Sequence, residues 1–124
     1  MGILFAIAVG GAVGSLLRYL LSKFLQDKFG IGFPLGTLTV NLIGSFLIGF
    51  FFSYLVEKLS ASSEVRGFFI TGLTGGFTTL STFTYESFSL IVNGEYAKFF
   101  LYFFITNFVG IFLTFLGYNL GRLL

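Results

Sequence analysis

Six serine and threonine side chains and two adjacent glycines are concentrated between Thr71 and Thr82, within one apolar stretch of the chain. Residues 71–86 read Thr-Gly-Leu-Thr-Gly-Gly-Phe-Thr-Thr-Leu-Ser-Thr-Phe-Thr-Tyr-Glu. Each glycine costs a helix interior about 1 kcal/mol relative to alanine, and β-branched threonines add a smaller penalty. In hydrocarbon, non-helical backbone survives only where protein or a cavity surrounds it. We therefore predict a helix break at Gly75–Thr78 that is turned inward.

A break of this kind leaves both peptide carbonyls and peptide amides without helical hydrogen-bond partners. Free carbonyls can hold a cation, whereas the amides at a half-helix N-terminus, helped by nearby hydroxyls, can hold an anion. The alternative is that the glycines permit tight packing and the hydroxyls bond back to their own helix. A phosphate-binding loop is excluded, because no Gly-Lys-Ser/Thr closes the glycine run.

Other polar residues interrupt the remaining apolar stretches. Asn41 offers two amide donors, and it serves either as hydrogen-bonding glue between helices or as a ligand group. Arg18 either extends to the membrane interface or forms a cationic vestibule that attracts anions. Tyr102 and Thr106 are four residues apart, so they share one helix face.

Composition indicates what must position these side chains. The chain has 124 residues, of which 56% are hydrophobic and 10% are charged, whereas a soluble domain carries about 25% charged residues. The apolar runs have the length needed to cross a bilayer core of about 30 Å. A net charge of +2 without a basic cluster gives no reason to expect nucleic-acid binding. Cysteine and histidine are absent, which excludes thiolate chemistry and most transition-metal sites.

The pattern predicts an all-α membrane protein with four transmembrane helices. We place the spans at about residues 3–25, 35–56, 65–91 and 96–120, all within one domain of residues 1–124. The first segment lacks a basic leader and a small-residue cleavage site, so we expect a retained helix. Short linkers make consecutive helices antiparallel neighbours. Because a polar path through so thin a bundle would lie close to lipid, a pore is better formed between two chains.

The orientation of this bundle is not encoded clearly, because its positive charges are balanced between the two ends. One end carries Lys58, Arg66 and Arg122, and the other carries Lys23, Lys28 and Lys98. Positive charges normally gather on the cytoplasmic side. Either a neighbouring feature resolves this weak signal, or the chain inserts both ways round and pairs with its inverted copy. The sequence alone leaves both interpretations open.

Three motifs resemble the Fluc (CrcB) family of microbial fluoride channels. They are Gly-Gly-Ala-Val-Gly-Ser-Leu-Leu-Arg-Tyr at 10–19, Gly-Thr-Leu-Thr-Val-Asn-Leu-Ile-Gly-Ser at 36–45, and Gly-Leu-Thr-Gly-Gly-Phe-Thr-Thr-Leu-Ser-Thr-Phe at 72–83. The third motif is highly specific, and the resemblance in length, span count and motif order covers essentially the whole chain.

The resemblance implies a dual-topology homodimer in the cell inner or plasma membrane, with two antiparallel pores that export fluoride. It implies that Asn41 donates a hydrogen bond to fluoride and that Phe83 presents the positive edge of its ring. It further implies that Ser81, Thr82, Tyr102 and Thr106 line the polar side of the pathway and that Arg18 lies at a vestibule. It also implies that the main-chain carbonyls of Gly75 and Thr78 hold a structural sodium ion at the dimer centre.

One residue departs from the family pattern. Leu80 stands three residues before Phe83, where the family usually has a second phenylalanine. Leucine has no ring quadrupole, so one of the two ring edges expected to face fluoride is missing. Because leucine still fills the wall and excludes water, we expect a conducting channel with altered affinity or rate.

Three other classes of function were weighed. A proton-coupled drug antiporter of the four-helix, dual-topology type needs a carboxylate at mid-membrane, and Glu86, which lies past the polar stretch, is the only candidate. An enzyme is disfavoured, because the chain has no paired carboxylates at helical spacing and no nucleophile beside a base. A purely structural subunit would leave the predicted break unexplained.

Overall fold

The computed structural model describes residues 2–124, which form helices joined by short connections and contain no strand. Helix α1 is Gly2–Phe29 and α2 is Leu35–Lys58. Helix α3 covers residues 63–77, α4 is Leu80–Val92, and α5 is Tyr96–Leu123. The predicted boundaries agree with these within a few residues. Wider π-type turns occur at Phe52–Lys58, Gly67–Thr74 and Ile105–Val109.

Local sequence explains where the helices begin and end. Gly30 and Gly94 follow α1 and α4 with φ of 83° and 75°, a left-handed conformation that glycine adopts at low cost. Pro34 precedes α2, where its missing amide proton would have had no helical acceptor in any case. The Ser62 hydroxyl caps α3 by accepting a bond from the Val65 amide at 3.3 Å.

The break predicted at Gly75–Thr78 is present, but it begins only at the last residue of that range and extends to Thr79. Gly75 has helical angles of −62° and −38°, and α3 continues through Phe77. The backbone is extended instead at Thr78 and Thr79, with ψ of 159° and 120°. Gly76 serves helix packing, because a Cβ there would lie 2.7 Å from the Gly11 carbonyl oxygen of α1.

Close backbone contacts hold the helices together in two pairs, α1 with α3 and α2 with α5. Gly14 of α1 lies against the α3 backbone, where an added Cβ would be 2.9 Å from the Phe77 amide nitrogen. Gly49 and Gly117 bring α2 and α5 together in the same way. Such small residues let membrane helices approach closely. These small-residue positions therefore pack within the chain.

Large apolar side chains cover the outside of the molecule. Phe108, Phe112 and Phe115 of α5 are each about 60% exposed, whereas the buried core is limited to a few residues such as Leu38 and Tyr102. A soluble monomer rarely exposes large contiguous apolar patches, so this surface is suited to lipid or to another membrane protein. Helices α1, α2 and α5 are each long and apolar enough to cross a membrane.

Candidate functional site

Asn41 holds the break in α3–α4 by pairing with both backbone groups of one residue. Its Nδ2 donates to the Thr79 carbonyl oxygen at 3.0 Å, and its Oδ1 accepts from the Thr79 amide at 2.8 Å. The side-chain amide thus replaces the peptide partners that an extended residue lacks, which an apolar environment requires. One of the two Nδ2 protons remains available, because an amide nitrogen carries two.

This pairing leaves carbonyl groups free at the C-terminal end of α3. In a continuous helix the Thr79 amide would bond to the Gly75 carbonyl four residues earlier, but it bonds to Asn41 instead. The Thr82 amide, which would serve the Thr78 carbonyl, donates to the Thr79 hydroxyl at 3.2 Å. Both carbonyls predicted to hold a cation therefore lack their usual helical donors.

Arg18 contacts the same end of α3. Its Nε donates to the Gly76 carbonyl oxygen at 2.9 Å, where the partial negative charge of a helix C-terminus favours a cation. Arg18 lies near the middle of α1 rather than near its end, because α1 extends to Phe29. The guanidinium therefore caps the broken helix, and it is not among the residues that line the neighbouring cavity.

The N-terminal end of α4 presents partial positive charge, the opposite of the C-terminal end of α3. The amides of Leu80 and Ser81 lie in its first turn and have no acceptor within the helix. The Thr79 hydroxyl caps this turn, lying 3.3 Å from the Ser81 hydroxyl and 3.2 Å from that of Thr82. Free amides and hydroxyls are donors that can replace the hydration of an anion.

A cavity of about 400 Å³ adjoins the break; we call it the break cavity. It brings together six of the residues that the sequence singled out, from α2, α3, α4 and α5: Asn41, Gly75, Thr78, Leu80, Phe83 and Thr106. The Thr106 hydroxyl is buried and has no hydrogen-bond partner among residues 2–124. A buried hydroxyl without a partner is costly, so a ligand in this cavity would satisfy it.

Tyr102 contacts a residue that lines the break cavity and a residue that lines a second cavity. Its ring is fully buried, and the ring centroid lies 5.0 Å from the centroid of the Phe83 ring. Phe83 lines the break cavity. Its hydroxyl donates to Glu86 Oε1 at 2.9 Å. Glu86 and Thr37 line the second cavity, also about 400 Å³, at the end of the bundle near residues 30–37; we call it the end cavity. Tyr102 thus contacts one lining residue of each cavity.

The remaining site residues are placed differently. Leu80 is 73% exposed, so it lines only the outer side of the break cavity. Ser81 is exposed, and Thr82 is partly buried with its hydroxyl on Thr79. Ser81, Thr82, Tyr102 and Arg18 are not lining residues of the break cavity.

Two residues of this region were missed by sequence reasoning. Thr79 was counted only as one hydroxyl among six, although its backbone and side chain organise the whole break. Asn107 lines the break cavity beside Thr106 and donates Nδ2 to the Phe103 carbonyl at 2.9 Å. An amide in the middle of an apolar span was the signal that would have identified Asn107.

Comparisons with known proteins identify the family of the chain. Residues 5–118 match the model of the family described as CrcB-like protein, Camphor Resistance (CrcB). A protein of Aquifex aeolicus named fluoride-specific ion channel FluC is 61% identical over 122 residues, which is 98% of each chain. Proteins of the same name from Hydrogenobaculum sp. and Thermus thermophilus are 51% and 50% identical. These two alignments cover 96% and 93% of this chain and 97% and 91% of theirs.

The matches cover nearly the full length of the chain, and three of its helices are long and apolar enough to cross a membrane. They extend beyond the motif at the break and include the residues that pair with it, since the family match runs through α1, α2 and α5. The chain is a multi-pass membrane protein and belongs to the CrcB-like family.

Proposed function

We propose that this protein is a passive fluoride channel. The observation that carries the proposal is the break at Thr78–Thr79, which places free amides, the Asn41 amide and the unpartnered Thr106 hydroxyl around the break cavity. It is supported by relatives that are named fluoride-specific ion channels and are up to 61% identical.

The chemistry of the lining suits conduction. A small anion must lose water to pass a narrow opening, and donors must replace that water. Among residues 2–124, no acidic or basic side chain lines the break cavity, and a fixed positive charge there would bind the ion too tightly to release it. The Phe83 ring, 8% exposed, can add the positive edge of its quadrupole. The pathway runs from the break cavity past Tyr102 to the end cavity.

The working unit in this proposal is an antiparallel homodimer, with α3 and α4 together forming a fourth crossing. The break cavity opens at the outer surface, where its lining residues Leu80 and Asn107 are exposed. Polar groups facing lipid are costly, so a second copy is a suitable cover. Nearly equal numbers of Lys and Arg at the two ends are compatible with insertion in both directions.

A structural sodium ion at the dimer centre fits the groups present at the end of α3. Among residues 2–124, no three acidic side chains are clustered, so the ligands are backbone oxygens. The carbonyls of Gly75 and Thr78 are free of their helical donors, and Gly75 is exposed. Carbonyl oxygens suit hard cations, and the ion would offset the negative ends of two α3 helices.

Fluoride efflux from liposomes tests the function directly. The purified full chain is reconstituted in vesicles loaded with potassium fluoride or potassium chloride. Valinomycin is added to carry the counter-ion, and the released anion is followed with an ion-selective electrode. We expect rapid fluoride release and no chloride release above that of empty vesicles. Release of both anions at the same rate, or of neither, would contradict the proposal.

Asn41→Asp tests the assigned donor. A carboxylate beside the path repels an anion and removes the Nδ2 protons, so we expect fluoride efflux to stop. Asn119→Asp is the matched control, because Asn119 is exposed near the end of α5 and away from both cavities. Flux that survives in the Asn41 variant would remove Asn41 from the pathway.

A proton-coupled antiporter is the second candidate, and the contact between Tyr102 and Glu86 is the observation in its favour. Glu86 is a partly buried carboxylate that lines the end cavity, as a proton-exchanging group would. The two functions differ in their response to protons. A channel carries fluoride at a rate set by the fluoride gradient and the membrane potential, whereas uphill uptake driven by a pH gradient would identify an antiporter.

A further inference from the structure

We infer that Asn41 has a second role, as the positioning residue that keeps the cation site open. This inference rests on the proposed sodium site of the preceding section. The Asn41 side chain, on α2, keeps the Gly75 carbonyl of α3 free of its helical hydrogen bond. Asn41 therefore belongs to both the anion pathway and the cation site.

The link depends on which acceptor the Thr79 amide proton bonds to. The Thr79 amide can bond either to Asn41 Oδ1 or to the Gly75 carbonyl oxygen, which is its acceptor in a continuous helix. In this structure the amide bonds to Asn41 at 2.8 Å. Without that acceptor, the helical bond to Gly75 becomes the best alternative for a buried amide in an apolar environment. The cation would then lose a ligand.

Neighbouring contacts hold Asn41 in the position that this role requires. Thr78 packs its methyl group against Gly44, one turn after Asn41 in α2, at a place where no Cβ could fit. Within α2, the Ser45 hydroxyl donates to the Asn41 carbonyl at 2.8 Å. The Asn41 side chain therefore enters the break from a rigid helix, and both of its bonds to Thr79 form at once.

The two roles of Asn41 depend on different atoms, so two substitutions separate them. Anion donation uses the Nδ2 protons, whereas the cation site depends on an acceptor oxygen for the Thr79 amide. Asn41→Asp removes the donor and keeps an acceptor oxygen. Asn41→Leu removes both. Asn41→Ser has a side chain too short to replace the paired contacts, and it serves if the leucine variant does not fold.

The experiment measures sodium-dependent thermal stability of the detergent-solubilised full chain by circular dichroism. Sodium chloride is compared with N-methylglucamine chloride at equal ionic strength, and fluoride efflux is measured in parallel. A cation bound only by the folded protein raises Tm. We expect wild type to show a sodium-dependent rise in Tm together with flux. Asn41→Asp should keep the rise in Tm and lose the flux, and Asn41→Leu or Asn41→Ser should lose both.

The outcomes distinguish failure of the inference from failure of the proposed function. A sodium-dependent rise that persists in the leucine or serine variant overturns the role of Asn41 at the cation site, even if wild type conducts. Loss of the rise in Asn41→Asp overturns it as well. A wild type that conducts fluoride but shows no response to sodium overturns both the cation site and this inference, while leaving the channel function standing.

Discussion

At the scale of single residues, Leu80 is the position where this chain departs from its family's usual pattern. It begins α4 with 73% of its surface exposed, so a larger side chain can be accommodated without compressing the core. Leu80→Phe adds a ring whose edge can face an anion in the break cavity. Such aromatic contacts contribute about 1 kcal/mol, so we expect the apparent affinity or rate for fluoride to change about fivefold.

Concentration-dependent efflux of the Leu80→Phe variant measures this effect, and Leu80→Met is its control of similar size without a ring. Equal values for all three proteins would mean that position 80 does not face the ion.

Asn107 allows a second prediction at this scale. Asn107 lines the break cavity and is exposed, and its amide donates to the Phe103 carbonyl oxygen of its own helix. Because a hydrogen bond to a charged group contributes about 1.5–3 kcal/mol, Asn107→Leu should reduce fluoride flux about tenfold if the amide faces the ion. Thermal stability should be unchanged, since an exposed polar group is replaced by an apolar one. Asn119→Leu on the same helix is the control, and equal flux in the two variants would contradict the prediction.

Residue types were predicted from the sequence more successfully than residue pairings. The amide of Asn41 was expected to act either as glue between helices or as a ligand, and the structure shows it bonded to the Thr79 backbone with one proton to spare. The importance of Thr79 was not predictable, because it arises from an extended backbone that only tertiary contacts define. The contact of Arg18 with Gly76 was unpredictable for the same reason, since 58 residues separate them.

At the scale of helices, glycine positions decide how closely the elements approach. Gly14→Ala would push a methyl group into the Leu73 carbonyl and to 2.9 Å from the Phe77 amide nitrogen. Overpacking of this kind costs about 1–3 kcal/mol, so we expect a lower Tm and weakened attachment of α3 to α1. The measurement is thermal unfolding of the purified protein in detergent.

Gly11 provides the matched control for this prediction. It lies three residues earlier on α1, and its added Cβ would meet only the Gly72 carbonyl oxygen, at an ordinary 3.9 Å. Gly11→Ala should be neutral or stabilising by up to about 1 kcal/mol, because alanine is the better helix former. If both variants melt at the same temperature, tight packing at Gly14 does not determine the stability of the α1–α3 pair.

The break illustrates how far element-level prediction could reach. Composition predicted that the third apolar stretch would not be one continuous helix, and that prediction is confirmed. It located the break at the glycines because glycine has the lowest propensity of the residues present. In the structure both glycines are helical, with Gly76 packed against α1, and Asn41 pairs with the extended backbone at Thr79. Tertiary contact here overrides local propensity.

At the scale of the whole molecule, the surface carries two features that a monomer in lipid does not explain. The break cavity opens where the polar side chain of Asn107 is exposed, and positive charges do not favour either end. A pair of oppositely inserted copies accounts for both features, because each copy covers the other's cavity and no single orientation needs to be preferred. The expectation of such a pair came from sequence and remains a prediction.

Single cysteines report orientation directly, since the chain has no cysteine of its own. Ser63 and Asn93 are exposed and lie at opposite ends of the bundle, at the start of α3 and just after α4. In sealed cells or vesicles, a membrane-impermeant maleimide should label roughly half of Ser63→Cys and roughly half of Asn93→Cys, because each orientation exposes one end. Detergent permeabilisation should bring both to full labelling. Complete labelling of one variant and protection of the other would establish a single orientation, and the antiparallel pore would then have to be abandoned.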